Sequence, residues 1–83
     1  MTETPDIALE IDAIGLLCPL PVLRTRKRMQ PLAPGAVVRL LADDPAALVD
    51  VPHYCAEAGH EILSMEEAAA APRPVRTWLI RKG

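Results

Sequence analysis

The most continuously apolar part of the chain is the segment AVVRLLA, residues 36–42. A run of this kind predicts a strand in the interior of a sheet. It is followed by Asp43, Asp44 and Pro45, where an Asp can cap a helix that has proline in its first turn. The sequence therefore predicts a central strand that leads directly into a helix.

Upstream of this segment, the pattern indicates another strand and another helix. Residues 7–12 alternate between apolar and polar, which predicts a half-buried strand. From Pro19 to about Gln30 the apolar residues recur in steps of three and four, which predicts a helix, and prolines are tolerated in its first turn. The predicted buried stripe of this helix consists of Cys18, Val22, Thr25, Met29 and Leu32.

Downstream of Pro45, the pattern predicts the second helix and then two more strands. We expect Pro52 to divide this helix into a short turn and a main helix, and Gly59 to cap its C-terminus. Residues 60–66 and 75–82 alternate as strands, and a proline-containing loop, residues 67–74, joins them. The predicted apolar stripe of the second helix consists of Leu48, Val51, Cys55 and Ala58.

The resulting order, β-α-β-α-β-β, predicts an α/β two-layer sandwich. Crossover helices favour parallel pairing, whereas the last two strands are close enough to form an antiparallel hairpin. We expect a four-stranded mixed sheet with both helices packed on one face, and residues such as Glu10 and Arg39, or their neighbours in the pleat, on the open face. With 83 residues, the chain forms a single domain, 1–83, in which residues 1–6 are predicted to be a flexible tail.

Composition excludes several classes of function. Nine Lys and Arg against eleven Asp and Glu give a net charge of −2, and aromatic residues make up 2% of the chain, so we expect no direct nucleic-acid binding. The N-terminus is acidic and polar rather than a secretory signal, and no apolar run is long enough to span a membrane. The predicted location is the cytoplasm. Two cysteines without metal-motif spacing predict no metal site.

Cys18 is the residue best placed for chemistry. It follows the turn at Gly15 and directly precedes a helix start shaped by Pro19 and Pro21. The positive end of a helix dipole and its unpaired N–H groups favour a thiolate, so we expect the pKa of this thiol to be lowered. Its position on the apolar stripe leaves a second interpretation, a buried cysteine that only packs. Cationic potential on the same helix comes from Arg24, Arg26, Lys27 and Arg28.

The segment DAIGLLCPLPV, residues 12–22, resembles the Cys-Pro-x-Pro signature of the TusA/SirA-like sulfur-carrier family. The resemblance covers essentially the whole chain in order. It continues through Arg26-Lys27, ADDPA at 42–46, DVP at 50–52, Cys55, His60-Glu61 and LIRKG at 79–83.

This resemblance implies the β-α-β-α-β-β sandwich and a persulfide carried covalently on Cys18, with no other cofactor. It implies that the sulfur comes from a cysteine desulfurase or a rhodanese-like donor and passes to an acceptor protein, for transfer-RNA thiolation, sulfur oxidation or cofactor assembly. The chain would then be a sulfurtransferase-type carrier rather than a free-standing multi-turnover enzyme. Gly15, Pro19 and Pro21 would shape the loop, and Arg24, Arg26, Lys27 and Arg28 would dock an acidic partner surface.

Two other classes of function are open at this stage. One is a small nucleic-acid-binding or regulatory module that uses the basic first helix, because similar sandwiches occur in a bacterial translation initiation factor. The other is a thiol redox protein, in which Cys55 would resolve a disulfide with Cys18; the alternative for Cys55 is a core position.

The remaining polar and aromatic residues receive structural predictions. Asp43 and Asp44 are predicted to cap the second helix. Surface or packing positions are expected for His53 and His60, and a core or sheet-face position for Trp78.

Overall fold

The central strand is β2, and the other elements are arranged around it. The computed structural model describes residues 6–83. The elements are β1 (Ile7–Ala13), α1 (Leu20–Met29), β2 (Val37–Ala42), α2 (Ala47–Ala58), β3 (Glu61–Ala68) and β4 (Val75–Arg81). Apart from Asp6, the predicted flexible tail at residues 1–6 lies outside the described residues.

The four strands form one mixed sheet in the order β1-β2-β4-β3. β1 and β2 are parallel, with Ala13 beside Ala42, because α1 carries the chain back across the sheet. β4 runs antiparallel to both β2 and β3. The predicted fold class and element order are confirmed.

The core lies between one face of the sheet and the two helices. Inward-facing residues of neighbouring strands, including Ile11, Leu40 and Trp78, are almost completely buried. α1 contributes Thr25 and Met29 to the buried surface, and the position predicted for Trp78 is confirmed. An aliphatic core of this size is the main source of stability in a small domain, because it removes apolar surface from water.

The helix α2 differs from its prediction in two ways. Its buried residues are Ala47, Val51 and Cys55, whereas Leu48 and Ala58 are exposed. The predicted stripe was wrong at both of its ends, because the helix starts two residues after Pro45 and turns Ala47 toward the sheet.

Pro52 lies inside α2, which runs continuously through it, so the predicted division of this helix was wrong. A proline removes the hydrogen bond to the carbonyl four residues earlier, here that of Leu48. Both residues are exposed, so water can solvate that carbonyl. The predicted cap is confirmed, because Gly59 ends the helix with a left-handed φ of 78°.

The open face of the sheet carries paired charges. Arg39 on β2 lies beside Glu10 on β1, with 3.5 Å between guanidinium nitrogen and carboxylate oxygen. Arg81 and Glu61 form a similar pair at 3.0 Å between β4 and β3. The prediction that Glu10 and Arg39 occupy this face is confirmed.

Lys82 fastens the C-terminal end of α1 to the end of β4. Its Nζ donates hydrogen bonds to the carbonyls of Met29 at 2.9 Å, Gln30 at 3.0 Å and Leu32 at 2.6 Å. The last carbonyls of a helix have no intrahelical partner and carry the negative end of its dipole. A single ammonium group therefore donates to three carbonyls at and just after the end of α1, and that of Met29 also accepts the N–H of Leu32.

Neither described helix has the length and apolar character needed to cross a membrane.

Candidate functional site

Cys18 lies in the loop between β1 and α1 and is exposed to solvent. It does not join the buried stripe of α1, so the interpretation of Cys18 as a packing residue was wrong. Gly15 begins the loop with φ of 84°, a left-handed conformation that favours glycine. Pro21, in contrast, is buried on the inner side of the first turn of α1.

Two carboxylates from the end of β2 hold this loop in place. The N–H of Gly15 donates to Asp43 Oδ1 at 2.9 Å, and the N–H of Cys18 donates to Asp44 Oδ2 at 2.6 Å. Both carboxylates are nearly buried. They meet the loop because β1 and β2 are parallel neighbours, so their carboxyl ends share one edge of the sheet.

The predicted capping role of these carboxylates was therefore wrong for Asp43 and partly right for Asp44. Asp44 Oδ1 accepts the N–H of Ala46 at 3.2 Å, but no side chain caps α2 itself. Hydrogen bonds from the N–H groups of Cys18 and Ala46, together with the charge of Arg73, lower the pKa of Asp44. Asp44 is thus held as a carboxylate that binds the loop and the start of α2 at once.

Arg73 connects the β3–β4 loop to the same network. Its guanidinium lies 3.7 Å from Asp43 Oδ1, the oxygen that binds Gly15. The loop that carries Cys18 is therefore supported by β2 directly and by the β3–β4 loop through Arg73.

The start of α1 offers few free N–H groups to the sulfur. The N–H of Leu20 donates to the Leu17 carbonyl at 2.8 Å, and that of Leu23 donates to the Pro19 carbonyl at 3.1 Å. Pro21 has no N–H at all. Among the first four residues of α1, Val22 alone has a backbone N–H that donates to no backbone carbonyl.

Asp50, in the first turn of α2, faces Cys18. Hydrogen bonding to the Asp50 carboxylate raises the pKa of the Cys18 thiol, and desolvation and the negative charges of Asp50 and Asp44 raise it further. The expectation of a lowered thiol pKa was wrong. Two nearby carboxylates outweigh the dipole of a helix start whose donors are mostly used or missing.

A groove of about 540 Å³ runs between α1 and α2 from this point. Its lining includes Cys18, Val22, Arg26, Asp50, His53 and Tyr54. His60 lies at its far end. The sequence pattern predicted only surface or packing positions for the two histidines, but the fold brings both into the groove that contains Cys18.

The histidines of the groove differ in their surroundings. His53 is exposed and paired with Glu57 on the same helix. His60 Nδ1 accepts the N–H of Gly83 at 3.1 Å, so Nε2 carries the proton of the neutral ring and donates to the Tyr54 hydroxyl at 3.3 Å. Burial and the charge of Lys82 lower the pKa of His60 and favour this neutral form.

The outer side of the loop and of α1 presents exposed apolar side chains. We call this set the apolar collar; it consists of Ile14, Leu17, Leu20 and Leu23, which are 44–56% exposed. Arg24 and Lys27 lie beside it around a shallow depression. Arg24 also donates to the Asp12 carbonyl at 2.8 Å. Lys27 and Arg28 are exposed on the same helix.

Cys55 lies on the buried face of α2, and burial raises the pKa of its thiol to about 11. The predicted core position is confirmed. A thiol that stays protonated and out of reach of solvent is a poor resolving thiol.

Comparison with known proteins identifies the family. The family model described as Sulfurtransferase TusA matches residues 9–81. The chain belongs to the TusA sulfurtransferase family. TusA membership supports a general role as a sulfur carrier or sulfurtransferase that works with partner proteins.

The fold is also that of a SirA-like protein from Desulfitobacterium hafniense, known from a crystal structure. The TM-score is 0.67 at 24% sequence identity, and the match covers 90% of this chain and 99% of that chain. The predicted membership of the TusA family is confirmed by the family model, and the SirA-like protein shares the fold.

The aromatic residues bear on the nucleic-acid alternative. Trp78 is buried, and Tyr54 is half-buried and bonded to His60. The chain has no other Trp, Tyr or Phe. The described residues therefore lack the exposed aromatic faces on which unpaired bases stack.

Proposed function

We propose that Cys18 carries sulfur as a persulfide, received from a cysteine desulfurase or rhodanese-like donor and passed to an acceptor protein. The observation that carries this proposal is the position of Cys18. It is exposed on a loop fixed by Asp43 and Asp44, whereas Cys55 is sealed in the core. The family assignment supports the proposal in general terms.

The loading step is an exchange at sulfur. The Cys18 thiolate attacks the terminal sulfur of a donor persulfide, the donor's S–S bond breaks, and a new S–S bond forms on Cys18. The donor cysteine leaves as a thiolate and takes up the proton that Cys18 released. Transfer repeats this exchange with an acceptor thiolate, so the step needs no outside oxidant or reductant.

The protein acts as a carrier and not as a free-standing enzyme. Its cargo is the covalent persulfide, and the proposal requires no further cofactor. Asp50 holds the resting thiol protonated, which suits a carrier that should react only with its partners. A partner cation placed near Asp50 would offset its charge and favour the thiolate.

Partner docking is assigned to the apolar collar and the basic residues beside it. Exposed apolar patches of this kind mark protein contacts, and cations at their rim steer an acidic partner. In this proposal, Gly15, Pro19 and Pro21 shape the loop that carries Cys18. Within residues 6–83, Lys27 and Arg28 take part in no ion pair, whereas Arg24 is partly engaged by the Asp12 carbonyl. The cytoplasmic location and the pathway served stay predictions.

The test is sulfur loading followed by intact mass. The protein is incubated with a cysteine desulfurase and cysteine, and separately with a rhodanese and thiosulfate. We expect the wild type to gain the mass of one sulfur atom. Cys18→Ser should gain none, and the matched control Cys55→Ala should load like the wild type.

Two results would contradict the proposal. One is sulfur uptake that persists in Cys18→Ser. The other is a wild type that takes up no sulfur from either donor class, and RNA binding in that same preparation would favour the binding-module alternative.

A further inference from the structure

The groove between α1 and α2 has the dimensions of a small-molecule site. Its volume of about 540 Å³ falls in the range of ligand pockets, roughly 300–1,000 Å³. It opens beside Cys18, on the side of α1 that the apolar collar does not occupy. A partner seated on the collar would leave the groove available for another ligand.

Opposite charges stand along this groove. Asp50 lies beside Cys18 at one end of the groove, and Arg26 on α1 lines it further along. Arg26 is close enough to Tyr54 that its charge lowers the pKa of the Tyr54 hydroxyl, against burial, which raises that pKa. Within residues 6–83, the ion pairs join other side chains and leave Arg26 out. Glu57, which also lines the groove, contacts His53 on the same helix. The groove therefore presents the Asp50 carboxylate beside Cys18 and, further along, the guanidinium of Arg26 and the carboxylate of Glu57.

The spacing of these charges matches a short peptide. From Leu20 to Arg26, α1 rises about 9 Å, and a tripeptide spans at most about 10 Å. A peptide with its ammonium group at Asp50 and a carboxylate at Arg26 would lie along the apolar floor that includes Val22. A cysteine in such a peptide would bring its sulfur beside Cys18.

We propose that this groove binds the persulfide of a cysteine-containing di- or tripeptide, of the size of glutathione, and loads Cys18 directly. The inference rests on the proposed function, because it requires Cys18 to accept sulfur. The Cys18 thiolate attacks the terminal sulfur of R–S–SH, the S–S bond of the peptide breaks, and R–S⁻ leaves and takes the proton of Cys18. The peptide's ammonium offsets the charge of Asp50, which otherwise opposes thiolate formation.

The test measures the initial rate of sulfur uptake on Cys18 against the concentration of glutathione persulfide. We expect saturation with the wild type. Arg26→Gln should raise the half-saturating concentration about tenfold, the scale of one charge-assisted contact. Arg39→Gln, on the open face of the sheet, should not change it. The persulfide of 2-mercaptoethanol has neither an ammonium nor a carboxylate group, so its rate should rise linearly with concentration and be insensitive to Arg26→Gln.

A binding readout accompanies the rates. S-methylglutathione cannot donate sulfur, and its titration should shift the amide signals of groove residues such as Tyr54 and Asp50 in the wild type. This effect should weaken in Arg26→Gln. A folded Arg26→Gln with the wild-type dispersion of amide signals makes the comparison valid.

Linear rates for both persulfides, or equal rates for wild type and Arg26→Gln, would overturn this inference. Slower loading of Arg26→Gln by a desulfurase, without saturation by the small persulfide, would also overturn it and assign the groove to a protein donor. If a desulfurase still loads Cys18 of the wild-type protein in these cases, the proposed function stands and only the peptide site fails. If no donor loads Cys18, the proposed function fails as well.

Discussion

The backbone N–H of Cys18 donates a 2.6 Å hydrogen bond to Oδ2 of Asp44, a residue 26 positions later in the chain. The other oxygen of the same carboxylate accepts the N–H of Ala46. One side chain at the end of β2 thus fixes the residue that carries the chemistry and the approach to α2. The position of Cys18 therefore depends on a contact with Asp44, outside the loop that carries it.

Replacement of Asp44 tests this dependence. Asp44→Asn keeps one carbonyl oxygen and can satisfy only one of the two N–H groups, and Asp44→Ala satisfies neither. We expect faster hydrogen exchange of the Cys18 amide and slower sulfur loading, with Asp44→Ala more affected than Asp44→Asn. Hydrogen exchange measured by NMR gives the first quantity. Wild-type exchange at Cys18 in Asp44→Ala would contradict the role assigned to this bond.

Acid should weaken the fold partly through the same carboxylate. The folded-state pKa of Asp44 lies below its unfolded value, which is about 3.9 for Asp. Its contribution to stability is therefore complete above about pH 4 and is lost as the pH falls through the lower folded-state pKa. We expect the urea midpoint of the wild type to drop across this range, and that of Asp44→Asn to drop less. Glu66→Gln, in an exposed part of β3, controls for the loss of one carboxylate.

Asp50→Asn should make the resting thiol more reactive. The substitution removes the charge that opposes the thiolate and so lowers the pKa of Cys18. We expect the alkylation of Cys18 by iodoacetamide to accelerate severalfold at neutral pH, and its pH profile to move to lower pH. Glu57→Gln, further along the groove, is the matched control. An unchanged pH profile in Asp50→Asn would show that Asp50 does not govern this thiol.

Most of the architecture follows from periodicity and turn residues. The alternation at residues 7–12 and the apolar run at 36–42 each predicted a strand, and Gly59 predicted the end of α2; all three agree with the structure. Pro52 was misjudged, because a proline near the exposed start of a helix removes only one hydrogen bond. Local patterns thus predict which elements exist better than they predict where a helix tolerates an interruption.

The site was harder to predict because it depends on contacts across the sequence. Position made Cys18 a candidate and left a packing role open, and the sign of its pKa shift depends on Asp50, which lies on α2. The contacts of Asp43 and Asp44 with the Cys18 loop could have been predicted from the parallel pairing of the first two strands. Carboxylates that directly follow one parallel strand lie at the same sheet edge as the loop that follows its neighbour.

Charge reversal on the outer face of α1 should slow transfer without changing the thiol. In the variant Lys27→Glu/Arg28→Glu, attraction to an acidic partner becomes repulsion, so we expect loading by a desulfurase at low salt to fall about tenfold. The gap should narrow as salt is added, because these charges are exposed. Alkylation of Cys18 should stay at the wild-type rate. Arg39→Glu, on the open sheet face, provides the control, and unchanged loading at low salt would reject this docking surface.

Removal of the ammonium of Lys82 should destabilise the domain, because three carbonyls at and just after the end of α1 lose the hydrogen bonds from Nζ. The carbonyl of Met29 keeps the N–H of Leu32 as a second donor. Lys82→Met keeps the aliphatic part of the side chain and removes the charge and the hydrogen bonds. Since Lys82 is partly exposed, water replaces some of these bonds, and we expect a loss of about 1–2 kcal/mol in the free energy of unfolding. Urea denaturation with an unchanged m-value measures it. Lys27→Met, at an exposed position of α1, should stay within about 0.5 kcal/mol of the wild type. Equal stabilities of the two variants would mean that water serves these carbonyls as well as Lys82 does.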